Sequence, residues 1–497
     1  MLLSTAICSR ARKTRDPRFD GRFFIGVLTT RIYCRPICPV RSPKEENIRY
    51  FLSAAAAAEA GLRPCLRCRP ECSPGTPAWL GTSATVSRAL RLIGESTLED
   101  SSMDTLAERL GIGSRHLRRL FLKHLGASPI AVAQTRRLHF AKKLIDETQL
   151  PMRDIALASG FGSVRRFNAT FQDTYKRTPT HLRKLAHQAG IQAADEYHFQ
   201  LRFRPPFAWD ALLEFLAPRA TPGVEAVHNG HYRRTISLDG HVGWLDAELN
   251  SAGNAISLSI HFPEPRWLFQ IVERVRQMFD LAADPQEIAS HLRRDPVLRD
   301  RVTARPGLRV PGSWDGFELA TRAILGQQVT VKGATTLTAS LVRSFGTPTV
   351  AGSDLTHLFP TPEKLADSDL QSIGIPRARA NCLRAIAQAV LDKKLVFSGV
   401  ANTEDFVNQF CELPGIGSWT AQYVAMRALG EPDAFPASDL GLMHASGIRN
   451  PRQLEDASQS WRPWRAYAAM YLWQTPAAIS QARPSKPEKS TLRMRIA

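Results

Sequence analysis

Between residue 84 and about 185, apolar positions recur at helical spacing with few strand signals, and one unit occurs twice. Met103 to Gly111 and Met152 to Gly160 each read as a helix ended by glycine. After each comes a turn and a polar-capped second helix, Ser114 to His124 and Ser163 to Asp173, which is helix-turn-helix organisation. From about residue 197 the pattern becomes apolar-polar alternation, as in His198 to Phe203 and Ile256 to Ile260, and predicts strands. From Trp314 to Trp473 it is helical again, with proline and glycine punctuating short helices. Ala54 to Ala58 predicts a short helix, and Ser73-Pro74-Gly75-Thr76-Pro77 reads as a linker. The chain is therefore expected to be a multidomain α+β protein, mostly helical. Its expected parts are a small domain over 1–75, two helix-turn-helix units over 83–187, an antiparallel-sheet domain over 197–310, a helical domain over 311–475 and a disordered tail over 476–497.

Cysteine placement gives the first part its chemistry. Cys34-x3-Cys38 and Cys65-x2-Cys68, separated by 26 residues, match a tetrahedral site for one Zn²⁺. The remaining cysteines, Cys8, Cys72, Cys382 and Cys411, are scattered and form no disulfide framework, which fits a reducing cytoplasm. Spacing alone favours a structural zinc knuckle. The surrounding arginines (Arg35, Arg41, Arg63, Arg67 and Arg69) suggest a surface that meets phosphate.

Charge points the same way. The net charge of +19 is concentrated before residue 190, where 32 Lys and Arg face 15 Asp and Glu, leaving 33 against 31 for the rest. Clustered basic residues release counterions from phosphate and give sequence-independent affinity, so double-stranded DNA is the expected partner. No apolar stretch approaches 18 residues, and no membrane partner is expected.

The run Asp20-Gly21-Arg22-Phe23-Phe24, with Thr29 to Cys38 and Arg63 to Cys68, resembles the N-terminal domain of the Ada alkylation-response family. The resemblance implies that Cys34 is a nucleophile accepting methyl from a DNA phosphotriester, and that Thr30, Arg41, Arg63 and Arg67 contact DNA. The repeated unit resembles the AraC-type DNA-binding domain. There Arg115, Arg118, Arg119, Arg165, Arg166 and Asn168 could meet phosphates or base edges.

Leu413-Pro414-Gly415-Ile416-Gly417 opens a helix beginning Ser418-Trp419, and glycines at that spacing let backbone N–H groups approach phosphate. With Asp439 downstream, and with Leu201 to Phe207 and Arg322 to Val329, this resembles the AlkA group of helix-hairpin-helix DNA glycosylases over about 197–475. The resemblance implies that Asp439 is the catalytic carboxylate and that Trp419, Tyr423 and Trp473 form a base pocket. Asp439 could instead be a helix N-cap, and the aromatics could be core. Trp419 fills the place where some helix-hairpin-helix enzymes carry a Schiff-base lysine, so a monofunctional glycosylase is expected. The intercalating wedge falls on Gln328, a poorer apolar wedge. No Pro-Cys-His-Arg methyltransferase motif follows.

These readings combine into a cytoplasmic, monomeric alkylation-response regulator and 3-methyladenine glycosylase. Its expected partners are alkylated DNA, promoter DNA and RNA polymerase. The alternative is a regulator whose glycosylase half only binds DNA.

Overall fold

The computed structural model describes residues 3–75, 84–95, 103–185, 195–349, 352, 354–398, 400 and 402–474; the expected disordered tail lies outside them. The N-terminal part is a four-stranded sheet in the order Ile48–Phe51, Phe24–Val27, Ile32–Cys34, Arg63–Pro64. Its last pair is parallel, with Ile32 opposite Arg63 and Tyr33 opposite Pro64, and this brings Cys34 and Cys65 to the same end of the sheet. The alanine run forms the helix Ala54–Glu59, capped by Ser53, whose hydroxyl also donates to the Leu125 carbonyl at 2.7 Å.

The two helix-turn-helix units follow the expected design. Met103–Arg109 and Met152–Ala158 are each followed by a left-handed glycine, Gly111 at φ 64° and Gly160 at φ 71°, which turns the chain at no Cβ cost. The second helices are Ser114–Leu125 and Val164–Tyr175. Ser163 caps its helix as expected, accepting from the Arg166 N–H at 3.2 Å. In the first unit the cap falls on Gly113 with no side-chain bond, and Ser114 is already helical. Each helix buries one stripe, Leu117, Phe121 and Leu125 in the first and Phe167, Phe171 and Tyr175 in the second, spaced one turn apart. The long helix Pro129–Glu147 joins the units. The first unit shares its core with the zinc-type sheet through Phe24, Tyr33 and Phe51. The second packs into the large core that follows.

That core begins with a five-stranded antiparallel sheet in the order Glu196–Arg202, Ala255–His261, His241–Leu249, His231–Leu238, Glu225–His228. The first strand alternates Tyr197, Phe199 and Leu201 inward with polar residues outward. The helical part supplies Gly316–Leu325, Val331–Phe345, Arg377–Leu391, the hairpin of Thr403–Cys411 and Ser418–Arg427, then Leu440–Ser446 and Arg465–Trp473. Arg204, fully buried, joins the N-terminal part to this half by donating to the carbonyls of Asp20 and Gly75, and to those of Ala282 and Ala283.

Candidate functional sites

Cys34 ends its strand, and the Arg35 carbonyl accepts from the Cys38 N–H at 3.1 Å, so the first pair closes a tight turn. The Cys65 N–H donates to the Tyr33 carbonyl at 3.0 Å, fixing the second pair beside the first. All four cysteines are buried and free of disulfides, with their sulfurs within 4.8 Å of one another. Four thiols this close and this buried suit a metal that draws them together as thiolates, and tetrahedral Zn²⁺ fits the all-sulfur donor set. One zinc ion is the cofactor of this site.

The arginines around it divide into two groups. Arg35 is buried, pairs with Asp20 (Nε to Oδ1 2.9 Å) and donates to the Cys68 carbonyl at 3.0 Å. Its backbone N–H reaches the Cys68 sulfur at 3.4 Å. Arg69 pairs with Glu71, Asp146 and Glu147. These two brace the site from inside rather than offering themselves to phosphate, because their charge is taken up by carboxylates. Thr30, Arg41 and Arg67 are exposed and Arg63 is half-buried. Tyr33, next to Cys34, reaches His139 of the long helix at 2.9 Å, and burial holds the His139 imidazole down at about 4.

On the helix-turn-helix units, Arg115, Arg118, Arg119, Arg165, Arg166 and Asn168 are all exposed and lie outside each buried stripe. Arg119 lies against His116 at 2.9 Å.

The third site is a cavity of about 250 Å³ in the helical half. The helix Ser418–Arg427 lines it with Trp419, Tyr423 and Arg427, spaced four residues apart on one stripe. Asp439 stands at one end. It caps the helix Leu440–Ser446, accepting from the Leu442 N–H at 2.9 Å, so the N-cap alternative is correct as far as it goes. Its carboxylate also accepts from both pocket indoles, Trp419 Nε1 to Oδ2 at 2.8 Å and Trp473 Nε1 to Oδ1 at 2.9 Å. Cap and pocket wall thus fix the same carboxylate in one orientation. Trp419 and Tyr423 stack on each other with centroids 5.3 Å apart and planes within 7°, which leaves no room for a third ring between them. Trp473 stacks on Phe215, with centroids 6.2 Å apart.

Arg219, Arg322 and Arg427 also line the cavity, as do Phe215, Val329 and Val331; Arg322 and Val329 bound a run that carried the resemblance, and the other four had no signal in the sequence pattern. They come from four separate segments, and only folding brings them together. Two positively charged neighbours, Arg427 and Arg219, overcome the upward pull of burial and hold the Tyr423 hydroxyl below its usual range.

Gln328, exposed at φ 57°, sits on a turn beside the pocket. Gln327 anchors that turn by donating to the Gly415 carbonyl at 3.0 Å and the Thr420 hydroxyl at 3.1 Å. In the hairpin, Gly415 takes φ 84° and packs on Cys382, where a Cβ would meet the sulfur at 3.3 Å. Gly417 is the exposed N-cap of the next helix and leaves its first N–H groups without a side-chain cap.

A buried four-sulfur centre, paired helix-turn-helix units and a hairpin leading to a carboxylate-tipped pocket define a DNA-binding regulator fused to a base-excision glycosylase. Family models match in the same order. The metal-binding domain of Ada covers residues 7–71, a helix-turn-helix domain 106–185, the AlkA N-terminal domain 198–315, and the HhH-GPD superfamily base excision DNA repair protein 321–451. The chain is 42% identical over 476 residues to the "Probable bifunctional transcriptional activator/DNA repair enzyme AlkA" of Mycobacterium tuberculosis, covering 94% of this chain and 96% of that protein. It belongs to that family of bifunctional transcriptional activator and DNA repair proteins. It is also 32% identical over 282 residues to DNA-3-methyladenine glycosylase 2 of Escherichia coli, covering 56% of this chain and 97% of that enzyme. The solved 3-methyladenine DNA-glycosylase of Archaeoglobus fulgidus shares the fold of this half, with a TM-score of 0.50 at 24% identity, over 55% of this chain and 97% of that one. Among the described residues no helix is long and apolar enough to cross a membrane.

Proposed function

We propose that the chain works in the cytoplasm as a monomeric, methylation-responsive regulator that also excises alkylated bases such as 3-methyladenine from double-stranded DNA. The observation that carries the excision reading is the Asp439 carboxylate held by two indole N–H groups at the end of a base-sized cavity. A flipped alkylpurine stacks against the aromatic wall of Trp419, Tyr423 and Trp473. Its glycosidic bond breaks with the electron pair leaving on the base, and Asp439 stabilises the positive charge that develops on the sugar until water adds. Gly415 and Gly417 present backbone N–H groups to a phosphate, and Gln328 faces the gap left by the flipped base.

At the N-terminal site, bound zinc keeps the four sulfurs as thiolates at neutral pH. Cys34 attacks the methyl carbon of a phosphotriester, forming an S–CH₃ bond as the CH₃–O bond breaks and its electron pair stays on the phosphate oxygen. Thr30, Arg41, Arg63 and Arg67 hold the DNA. The exposed Arg115, Arg118, Arg119, Arg165, Arg166 and Asn168 meet promoter DNA, and the bound regulator recruits RNA polymerase. The deciding experiment is release of 3-methyladenine from methylated duplex DNA, run beside Asp439→Asn. Release abolished in the variant supports the reading; no release by folded, zinc-loaded wild type leaves a regulator with a DNA-binding relic.

A further inference from the structure

The carboxylate of the cavity has an apolar neighbour left open to solvent. Leu440 follows Asp439 directly and is 80% exposed, the most exposed large hydrophobic side chain among the described residues. It begins the helix Leu440–Ser446, and Ser438 and Gly441, which flank the Asp439–Leu440 pair, are themselves small and exposed. The position is held firmly. Asp439 accepts from the Leu442 N–H at 2.9 Å, Leu442 is fully buried, and Arg301 donates to the Ala445 carbonyl at 3.1 Å near the other end of the helix. Asp439 is part of the cavity lining and Leu440 is not, so the leucine packs neither in the core nor in the cavity wall. Val329 and Val331, exposed on the segment that follows Gln328, do line the cavity and add to the apolar character of its mouth.

An exposed leucine means little by itself, and its meaning here comes from where it stands. Consecutive Cα atoms are about 3.8 Å apart, so a nucleotide that brings its sugar to Asp439 brings DNA within reach of Leu440. A carboxylate repels phosphate, so the strand turns its sugar edge toward this pair, and sugar edges lie in the minor groove. We infer that Leu440 is a DNA-contacting residue that buries its side chain against the deoxyribose and the minor-groove base edges beside the lesion, and so holds the extruded nucleotide at Asp439. Apolar side chains inserted from the minor groove keep a deformed duplex open in this way. Gln328, exposed on its turn, is ill suited to the task, because its amide loses hydrogen bonds to water when buried against bases. The apolar contact therefore comes from the carboxylate side of the cavity. This inference rests on the glycosylase reading above.

The test uses the full-length, zinc-loaded protein in two assays, binding to a duplex with one tetrahydrofuran abasic-site analogue across a range of salt, and single-turnover release of 3-methyladenine from methylated duplex. Leu440→Ala is expected to bind the abasic duplex about tenfold more weakly, the lower end of what burying a leucine supplies. The slope of log K against log salt should stay as in wild type, because no phosphate contact is lost. Base release at subsaturating protein should fall by the same factor, with the midpoint of thermal unfolding unchanged. Leu440→Met, which conserves volume, should restore both binding and release. Binding and release by Leu440→Ala at wild-type levels overturn the inference and leave the glycosylase reading intact. Tighter binding by Leu440→Lys, with a salt slope steeper by about 1, also overturns it, since the side chain would then face phosphate. No base release by wild type overturns the glycosylase reading and this inference with it.

Discussion

The cysteine centre and the Asp439 cavity hold their central side chains in place by opposite means. At the first, four ligands within 35 residues of sequence, Cys34 to Cys68, surround one point, and the ion they hold supplies the charge. Each sulfur is then also part of the scaffold. At the second, the carboxylate is oriented by two indole N–H groups and one backbone N–H, contributed by residues up to 34 positions from Asp439. There the carboxylate can be altered with its surroundings left standing. Side chain and fold are therefore coupled at the cysteines and separable at the carboxylate.

The largest effect should come from Cys38→Ala. Structural zinc binding is worth on the order of 10 kcal/mol of folding free energy, so zinc content per chain should fall to zero and the N-terminal sheet should unfold. Metal analysis with circular dichroism reads this out, and retention of zinc by the variant would break the comparison. Asp439→Asn should instead slow base release by a factor of about 10² to 10³, equivalent to removing a preorganised electrostatic group. Asparagine caps helices about as well as aspartate, so the midpoint of thermal unfolding should barely move.

Asp20→Asn sharpens the contrast without touching a ligand. It leaves buried Arg35 without its ionic partner beside Cys68, and loss of one member of a buried pair costs about 3 kcal/mol or more. Denaturant unfolding of the N-terminal part should show the loss, and base release should not. A smaller effect follows from His139. Its folded pKa of about 4 lies below the ordinary 6.5, so the unfolded chain takes up the proton first. Stability is full above about pH 6.5 and declines as pH falls toward 4. His139→Asn should flatten that dependence. The smallest expected change is at Arg165 and Arg166. Replacing both with alanine should weaken DNA binding at all sequences and reduce the slope of log K against log salt by about 2.

The two centres were also unequally legible. Cys-x3-Cys and Cys-x2-Cys identify a metal site because ligands on one short hairpin-like segment are close in sequence as well as in space. The helix-turn-helix pair was legible for a similar reason, since a glycine at φ above 60° and a stripe of period 3.6 are local properties. The roles of the arginines were not local. Arg35 and Arg69 look the same in sequence as Arg41 and Arg67, yet Asp20 claims one, and Glu71, Asp146 and Glu147 claim the other.

The sequence by itself determined the order of elements, the two helix-turn-helix units and the clustering of four cysteines, because each is written in spacing over a few turns of chain, whereas Asp439 was singled out only by a resemblance. Tertiary structure alone decided which charges meet. It placed Trp473 and Trp419 on the two oxygens of Asp439, and Arg219 from the start of the sheet domain against Tyr423. Electrostatic and hydrogen-bonded partnerships act over a few ångströms of space whatever the separation along the chain, and no periodicity records them.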